Sequence, residues 1–302
     1  MYKILLFMLV PFFLQPFSIA AQKANYYIEI SDSGFTAGEF STGDFHKKPW
    51  RTFQTGEVDT DALLDYFQLK KGNENVLLFF HAMWGNLQPF HKNSMQCFNA
   101  QLTGIDKIIA VIWHAKSPTY RKNWQRAIGL GARISPVINS IVGCTANQYT
   151  VLCHSMGNRV LEGVVSTFPD TSRRFKTVML AGADLNAEVF QEGLTTLPDM
   201  SDRIVIYMHE KDHLLQASKI VHHRKRLGLD AKAYVGGWRH ISNLEVVDVT
   251  HARSGHLPSM TNHMYFKNHK EVVLDMNCVL NEDFEARKGG FKSFKDNYIQ
   301  LK

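Results

Sequence analysis

The chain has 302 residues, 45% of them hydrophobic and 21% charged, with a formal charge of +6 at pH 7 and a pI near 9.0. Its lysines and arginines are scattered and form no basic stripe interleaved with aromatics, which argues against a nucleic-acid partner. Four cysteines, Cys97, Cys144, Cys153 and Cys278, are too few for a disulfide scaffold, although export would permit one bridge.

The chain opens with Met1-Tyr2-Lys3, an apolar run through Val10 and a second apolar stretch that ends in small residues at Ala20 and Ala21. This reads as a secretory signal peptide over residues 1–21, with the mature chain beginning at Ala21 or Gln22. Pro11 and Pro16 interrupt the stretch, which suits an excised segment better than a spanning helix, and no cysteine comes after it for lipid attachment. No later segment is long and apolar enough to span a bilayer, so no stable membrane insertion is expected after cleavage. The expected location is exported, either periplasmic or secreted.

Residues 22–302, about 280 of them, suit one α/β layer domain with a full core. Asn25-Tyr26-Tyr27-Ile28-Glu29-Ile30 reads as a first strand, and Gly34, Gly38 and Gly43 break the segment after it. Asp59 and Thr60 can cap a short helix through Phe67. Buried-strand runs come next at Val76–Phe80, Lys107–Trp113, Tyr149–Cys153, Phe175–Ala181, Ile204–Met208 and Leu244–Val249, with helical stretches at about Pro89–Leu102 and Arg121–Val142. Continuous apolar strands alternating with helices require a mostly parallel sheet covered on both faces, a three-layer α/β architecture whose ligands gather at the strands' carboxyl ends.

The most informative stretch is Val151-Leu152-Cys153-His154-Ser155-Met156-Gly157-Asn158-Arg159-Val160, where a strand pattern stops at a serine and a helical pattern begins. This is the layout of a nucleophile elbow, in which a strained strand-to-helix turn pushes the hydroxyl into the open beside a helix N-terminus. Gly157 supplies the small residue two places after Ser155, whereas Cys153 stands two places before it, where glycine is usual. Ser155 is the candidate nucleophile.

Such a serine needs an acid and then a histidine later in the chain. Asp212, in the loop after the strand ending at Met208, is the first candidate acid; Asp184, in Ala181-Gly182-Ala183-Asp184, is the alternative. After the last strand, His263 opens a helical pattern and is preferred as the base, with His256 as the alternative. The oxyanion hole would use the N–H groups of Met156 and of Met83, the latter in His81-Ala82-Met83-Trp84-Gly85, where alanine replaces the usual glycine. Trp84, Phe90, Trp113, Tyr120 and Trp124 are candidates to line an acyl pocket.

These motifs resemble the α/β-hydrolase superfamily, and more closely a bacterial family of α/β-hydrolases without an established function. The resemblance runs from about Val76 to Asp275. It rests on the histidine-ended strand, Trp113 with Tyr120 downstream, His154 to Val160, Ala183-Asp184 with Phe190, and Asp212 with Leu215 and Ser218. It continues through Arg226-Leu227-Gly228, Val247-Asp248-Val249 and His263-Met264-Tyr265-Phe266. The resemblance implies a triad hydrolase, here Ser155, Asp212 and His263, and carries no agreed substrate. A carboxylesterase-like enzyme forming an acyl-enzyme from a small ester or acyl substrate, with no cofactor, is the expectation. Two rivals remain: a non-catalytic binding protein that kept the fold, and a zinc hydrolase using His209-Glu210-Lys211-Asp212-His213. The zinc pattern demands a continuous helix through His209, yet the residues before it read as a strand, and Lys219 stands where a third histidine would be expected.

Overall fold

The computed structural model describes residues 23–302 apart from 43, 57, 84–87, 144, 169–174, 189, 191–195 and 253–261, with only the main chain described at 88–91 and 294. The strands are β1 (Ala24–Ile30), β2 (Gly34–Phe40), β3 (Lys47–Gln54), β4 (Asn75–Phe80), β5 (Lys107–Ile112) and β6 (Gln148–His154). They continue with β7 (Thr177–Ala181), β8 (Ile204–Met208), β9 (Leu244–Asp248), β10 (Phe291–Lys295) and β11 (Tyr298–Leu301). All join one sheet in the order β10-β11-β9-β8-β7-β6-β4-β5-β1-β2-β3. Neighbours from β11 to β1 pair in parallel, and the antiparallel pairings among the described strands lie at the two edges: β10 with β11 at one, and β1 with β2 and β2 with β3 at the other.

The helices are α1 (Thr60–Tyr66), α2 (Gln88–Gln101), α3 (Tyr120–Gly143), α4 (Gly157–Ser166), α5 (Leu197–Met200) and α6 (His213–His222). Beyond them lie α7 (Leu227–Asp230), α8 (Tyr265–Asn268), α9 (Lys270–Leu280) and α10 (Phe284–Lys288). They divide between the two faces of the sheet because strand side chains alternate. Val76, Leu78 and Phe80 point into a core shared with α3 and α4, whereas Leu77 and Phe79 point into a second core with Phe98 of α2 and Val272 and Met276 of α9. Removing such side chains from water supplies about 1.5–3 kcal/mol each, which is why the central strands tolerate no polar alternation. In α3 the buried residues Ala127, Leu130, Ile134, Val137, Ile138 and Ile141 recur every three or four positions, so one stripe of the helix meets α4 and the sheet.

The expected mostly parallel, doubly covered α/β sheet is therefore the architecture of the chain. The sequence reading missed both outer hairpins. Gly34 and Gly38 had suggested a break, but they lie within β2 because the sheet is tight there: a Cβ at Gly38 would come within 2.5 Å of the Tyr27 ring. Six residues of β3 from Lys47 to Thr52 face solvent at least in part, so no hydrophobic period announces that edge strand.

Chain order along the sheet reverses at β4, which has β5 on one side and β6 on the other. In open α/β sheets ligands gather outside the carboxyl ends of the strands at such a switch point. His81, Ser155, Gly182 and His209 each come directly after the last residue of β4, β6, β7 and β8.

Candidate active site

Ser155 sits between β6 and α4 with φ of 54°, a left-handed conformation that is rare for a residue with a side chain. Fixed partners hold it there. Its N–H donates to Ala181 O at 3.0 Å, and its carbonyl accepts from the Asp184 N–H at 3.3 Å and from Asn158 Nδ2 at 2.9 Å. A strained conformation of this kind persists only where the surrounding structure over-determines it. The buried run Val151 to His154 gives way at Ser155 to a partly exposed residue, after which burial resumes at Met156.

Gly157 explains why the turn can be so tight. A Cβ there would lie 2.2 Å from Phe80 O and 2.7 Å from His81 O, so the start of α4 rests directly on the end of β4. Gly157→Ala is expected to cost about 3 kcal/mol through overpacking against rigid backbone. Denaturant unfolding that shows an unchanged midpoint would contradict this contact. Cys153, by contrast, is fully buried between Phe80 of β4 and Leu180 of β7 and acts as a small apolar core residue, its thiol pushed far from ionisation by burial. It fills space in the position where glycine is usual.

Asp212 lies in the loop after β8 and has two tasks. Oδ1 caps α6 by accepting from the Leu215 N–H at 3.0 Å, and Oδ2 stands 2.6 Å from Nδ1 of His263. Both side chains are almost wholly buried, at 0% and 4% exposure, so water does not compete for the pair. A carboxylate against Nδ1 places the proton on that nitrogen and leaves Nε2 as the basic atom. The imidazole rests on Gly182, whose φ is +50° and where a Cβ would lie 3.3 Å from Cε1 of His263. Ser155, Gly182 and the loop of Asp212 come after the consecutive strands β6, β7 and β8, and Gly182, over which the imidazole lies, is next in the chain after Ala181, the acceptor for the Ser155 N–H.

Asp184 is committed elsewhere. Its Oδ1 accepts from the Ser218 hydroxyl at 2.7 Å and lies 3.5 Å from Arg226 Nε, while burial outweighs that guanidinium and pushes the carboxyl up to about 6. It supports Ser155 through its main chain, and its carboxylate faces α6 rather than the His263 ring. His256 lies outside the described residues.

Met156 is the first residue after the serine and adopts right-handed helical geometry ahead of α4. Met83 lies three residues past β4, with its sulfur 3.6 Å from Asn123 Nδ2. Between them His81 fastens two strand ends. Its Nε2 accepts the Trp113 N–H at 3.0 Å, its carbonyl accepts the Trp113 indole N–H at 3.0 Å, and the remaining ring nitrogen, Nδ1, donates to Ala82 O at 2.5 Å.

Trp113 is wholly buried and thus belongs to the core, correcting the expectation that it lines an acyl pocket. Tyr120 and Trp124 both pack on His222, and Arg159 lies 4.5 Å over the Trp124 ring. Trp84 is outside the described residues, as is the side chain of Phe90. The zinc arrangement fails on geometry: His209 comes directly after β8, Glu210 to Asp212 form a turn, and helix begins only at His213. His209 Nδ1 already accepts the Lys211 N–H at 3.0 Å. The two histidines therefore do not share a helical face.

Three residues of this neighbourhood were not singled out by role in the sequence. His154 contacts the carbonyl of His263, the Tyr265 hydroxyl accepts from the Gly182 N–H and donates to Tyr207 O, and Asn158 braces the serine carbonyl. Each stood inside a quoted motif, and a polar residue in a buried run was the available signal.

A large parallel sheet with flanking helices and an elbow serine at its switch point defines an α/β-hydrolase. The chain belongs to the family described as alpha/beta hydrolase of unknown function (DUF900), whose profile matches residues 131–281. A search of curated proteins finds no match. Among solved structures the chain is similar to a protein of Lactobacillus plantarum WCFS1 provisionally named a cell surface hydrolase, at 11% identity and a TM-score of 0.41, covering 72% of this chain and 96% of that one. It is also similar to Trichoderma reesei cutinase in complex with a C11Y4 phosphonate inhibitor, at 10% identity and a TM-score of 0.26, covering 76% of this chain and 85% of that one.

Proposed function

We propose that the protein is a serine hydrolase that cleaves small carboxylic esters or related acyl compounds through an acyl-enzyme on Ser155. The observation that carries the reading is the buried 2.6 Å pair of His263 Nδ1 and Asp212 Oδ2, set over Gly182, with Ser155 held at positive φ and its N–H bonded to the neighbouring Ala181 carbonyl. In this mechanism Ser155 Oγ attacks the acyl carbonyl carbon while His263 Nε2 takes its proton. The Met156 and Met83 N–H groups hold the resulting oxyanion, a contribution of roughly 10²–10³ in rate for each donor. Collapse of the tetrahedral species expels the alcohol, which receives the proton from His263. Water then attacks the acyl-enzyme by the same steps in reverse order. Asp212 keeps the imidazole in the required tautomer throughout and stabilises its charged form.

The reading as a binding protein is favoured by one observation, Ala82 in the loop that would supply an oxyanion donor. Purified protein assayed on p-nitrophenyl esters of graded acyl length separates the two. Saturable turnover of one or more esters supports the hydrolase; well-folded protein that hydrolyses none of them at any length favours binding.

We further propose that the chain acts outside the cytoplasm after cleavage of its N-terminal segment behind Ala20 or Ala21. Among the described residues no helix is long and apolar enough to cross a membrane. N-terminal sequencing of exported protein should begin at Ala21 or Gln22; an intact Met1 would overturn this.

A further inference from the structure

His263 belongs to no helix or strand. It comes after Asn262, itself at φ of 51°, and precedes α8 by two residues. A base must nonetheless be held to within a fraction of an ångström of its working geometry, since a misplacement of about 1 Å costs roughly 10² in rate. Neighbouring residues are pinned on both sides: Asn262 Nδ2 donates to Lys211 O at 3.1 Å, and the Tyr265 hydroxyl bridges the Gly182 N–H and Tyr207 O at 2.6 Å each. The main chain of His263 itself is gripped by the residue just before the elbow serine. His154 Nε2 lies 3.0 Å from the His263 carbonyl, which can only accept, so that nitrogen donates.

The two rings are 4.7 Å apart between centroids, with Phe266 4.5 Å from His154, so the His154 imidazole is also wedged in place. It is 2% exposed. From this geometry we infer that His154 is a positioning residue for the base: its Nε2–H fixes the His263 carbonyl, and with it the reach of the imidazole from Asp212 to Ser155. Because His154 and Ser155 are consecutive, one strand end sets the nucleophile and the base together. Burial and the adjacent His263 hold the His154 ring well below its ordinary pKa, so it remains neutral beside the imidazolium that forms during turnover. Other charged groups that face it do not reverse this: Lys267 opposes a charge on it, as does His81. The inference rests on the Ser155, His263 and Asp212 reading.

Three variants test it. His154→Gln retains an amide N–H at the distance of Nε2, His154→Asn carries the same group one bond short, and His154→Phe keeps the ring and loses the donor. The first readout is the proton NMR resonance of the His263 Nδ1–H bonded to Asp212 in nitrogen-labelled protein, which is observable whether or not an ester is turned over. The second is kcat and KM on an ester, with thermal unfolding as the check on fold. Asn and Phe are expected to broaden or lose the resonance and to lower kcat by roughly 10²-fold at nearly unchanged KM, while Gln restores most of both. Resonance and kcat unchanged in Asn and Phe would overturn the proposal, as would a Gln variant that falls as far as Phe. Where Phe does not fold, the comparison of Gln with Asn decides. Wild-type protein that shows the resonance but hydrolyses no ester would count against the proposed function, and the dependence of the resonance on residue 154 would still decide the positioning role.

Discussion

Ser155→Ala should lower ester turnover by a factor on the order of 10⁶ while leaving the fold intact. The fold survives because the elbow does not depend on the hydroxyl. It is maintained by main-chain contacts of Ser155 to Ala181 and Asp184 and by Asn158 Nδ2, all of which alanine preserves. Alanine also inherits the left-handed φ of 54° and its strain. A companion variant, Ser155→Gly, releases that strain and should be more stable than the parent by about 1 kcal/mol, although equally inactive. Activity lost with stability gained would mark residue 155 as a place where the chain holds an unfavourable conformation for the sake of chemistry. An Ala variant that retains turnover within tenfold, or a Gly variant less stable than the parent, would show that the turn has another purpose.

Asp212→Asn should lower turnover by roughly 10³–10⁴ at nearly unchanged stability, because asparagine offers His263 the wrong partner and leaves the imidazole in the wrong tautomer. Stability holds because Asn is as good an N-cap as Asp, so the Leu215 N–H of α6 keeps its acceptor. The control is Asp184→Asn, which preserves an acceptor for Ser218 and does not alter the partner of Nδ1. Its effect on turnover should stay below roughly tenfold. Kinetics and unfolding on both variants check this, and the reverse order of effects would move the acid to the end of β7.

Much of the fold was readable because the central strands carry an unmistakable signal. In β4, β5, β7 and β8 every residue but Asn75 is buried, and a run of that kind has few alternatives to a strand covered on both faces. The outer hairpins gave no such signal. β3 is mostly exposed and carries Pro49, and β2 has two glycines whose reason lies in tertiary contact with Tyr27 and Phe53. Residues that only a parallel sheet brings together are the hardest to read from order alone.

The candidate site divides the same way. Ser155 is visible because strand, turn and helix are contiguous in the chain. Asp212 stood at a strand end, yet its second task as the cap of α6 explains why that position is rigid enough to aim a carboxylate at an imidazole 51 residues away. His263 drew on the His263-Met264-Tyr265-Phe266 motif, since its own segment has no regular structure around the ring. The roles of His154 and Tyr265 could not be read from spacing, because each bonds to the main chain of a distant strand end or loop.

The most direct measurement is the site of covalent capture by a fluorophosphonate. Mature wild-type protein treated with the probe, digested and analysed by peptide mass spectrometry should carry a single phosphonyl adduct, on Ser155, formed at a rate that falls when His263 is replaced by alanine. Well-folded protein that forms no adduct, or an adduct on another residue at a rate indifferent to His263, would contradict the account.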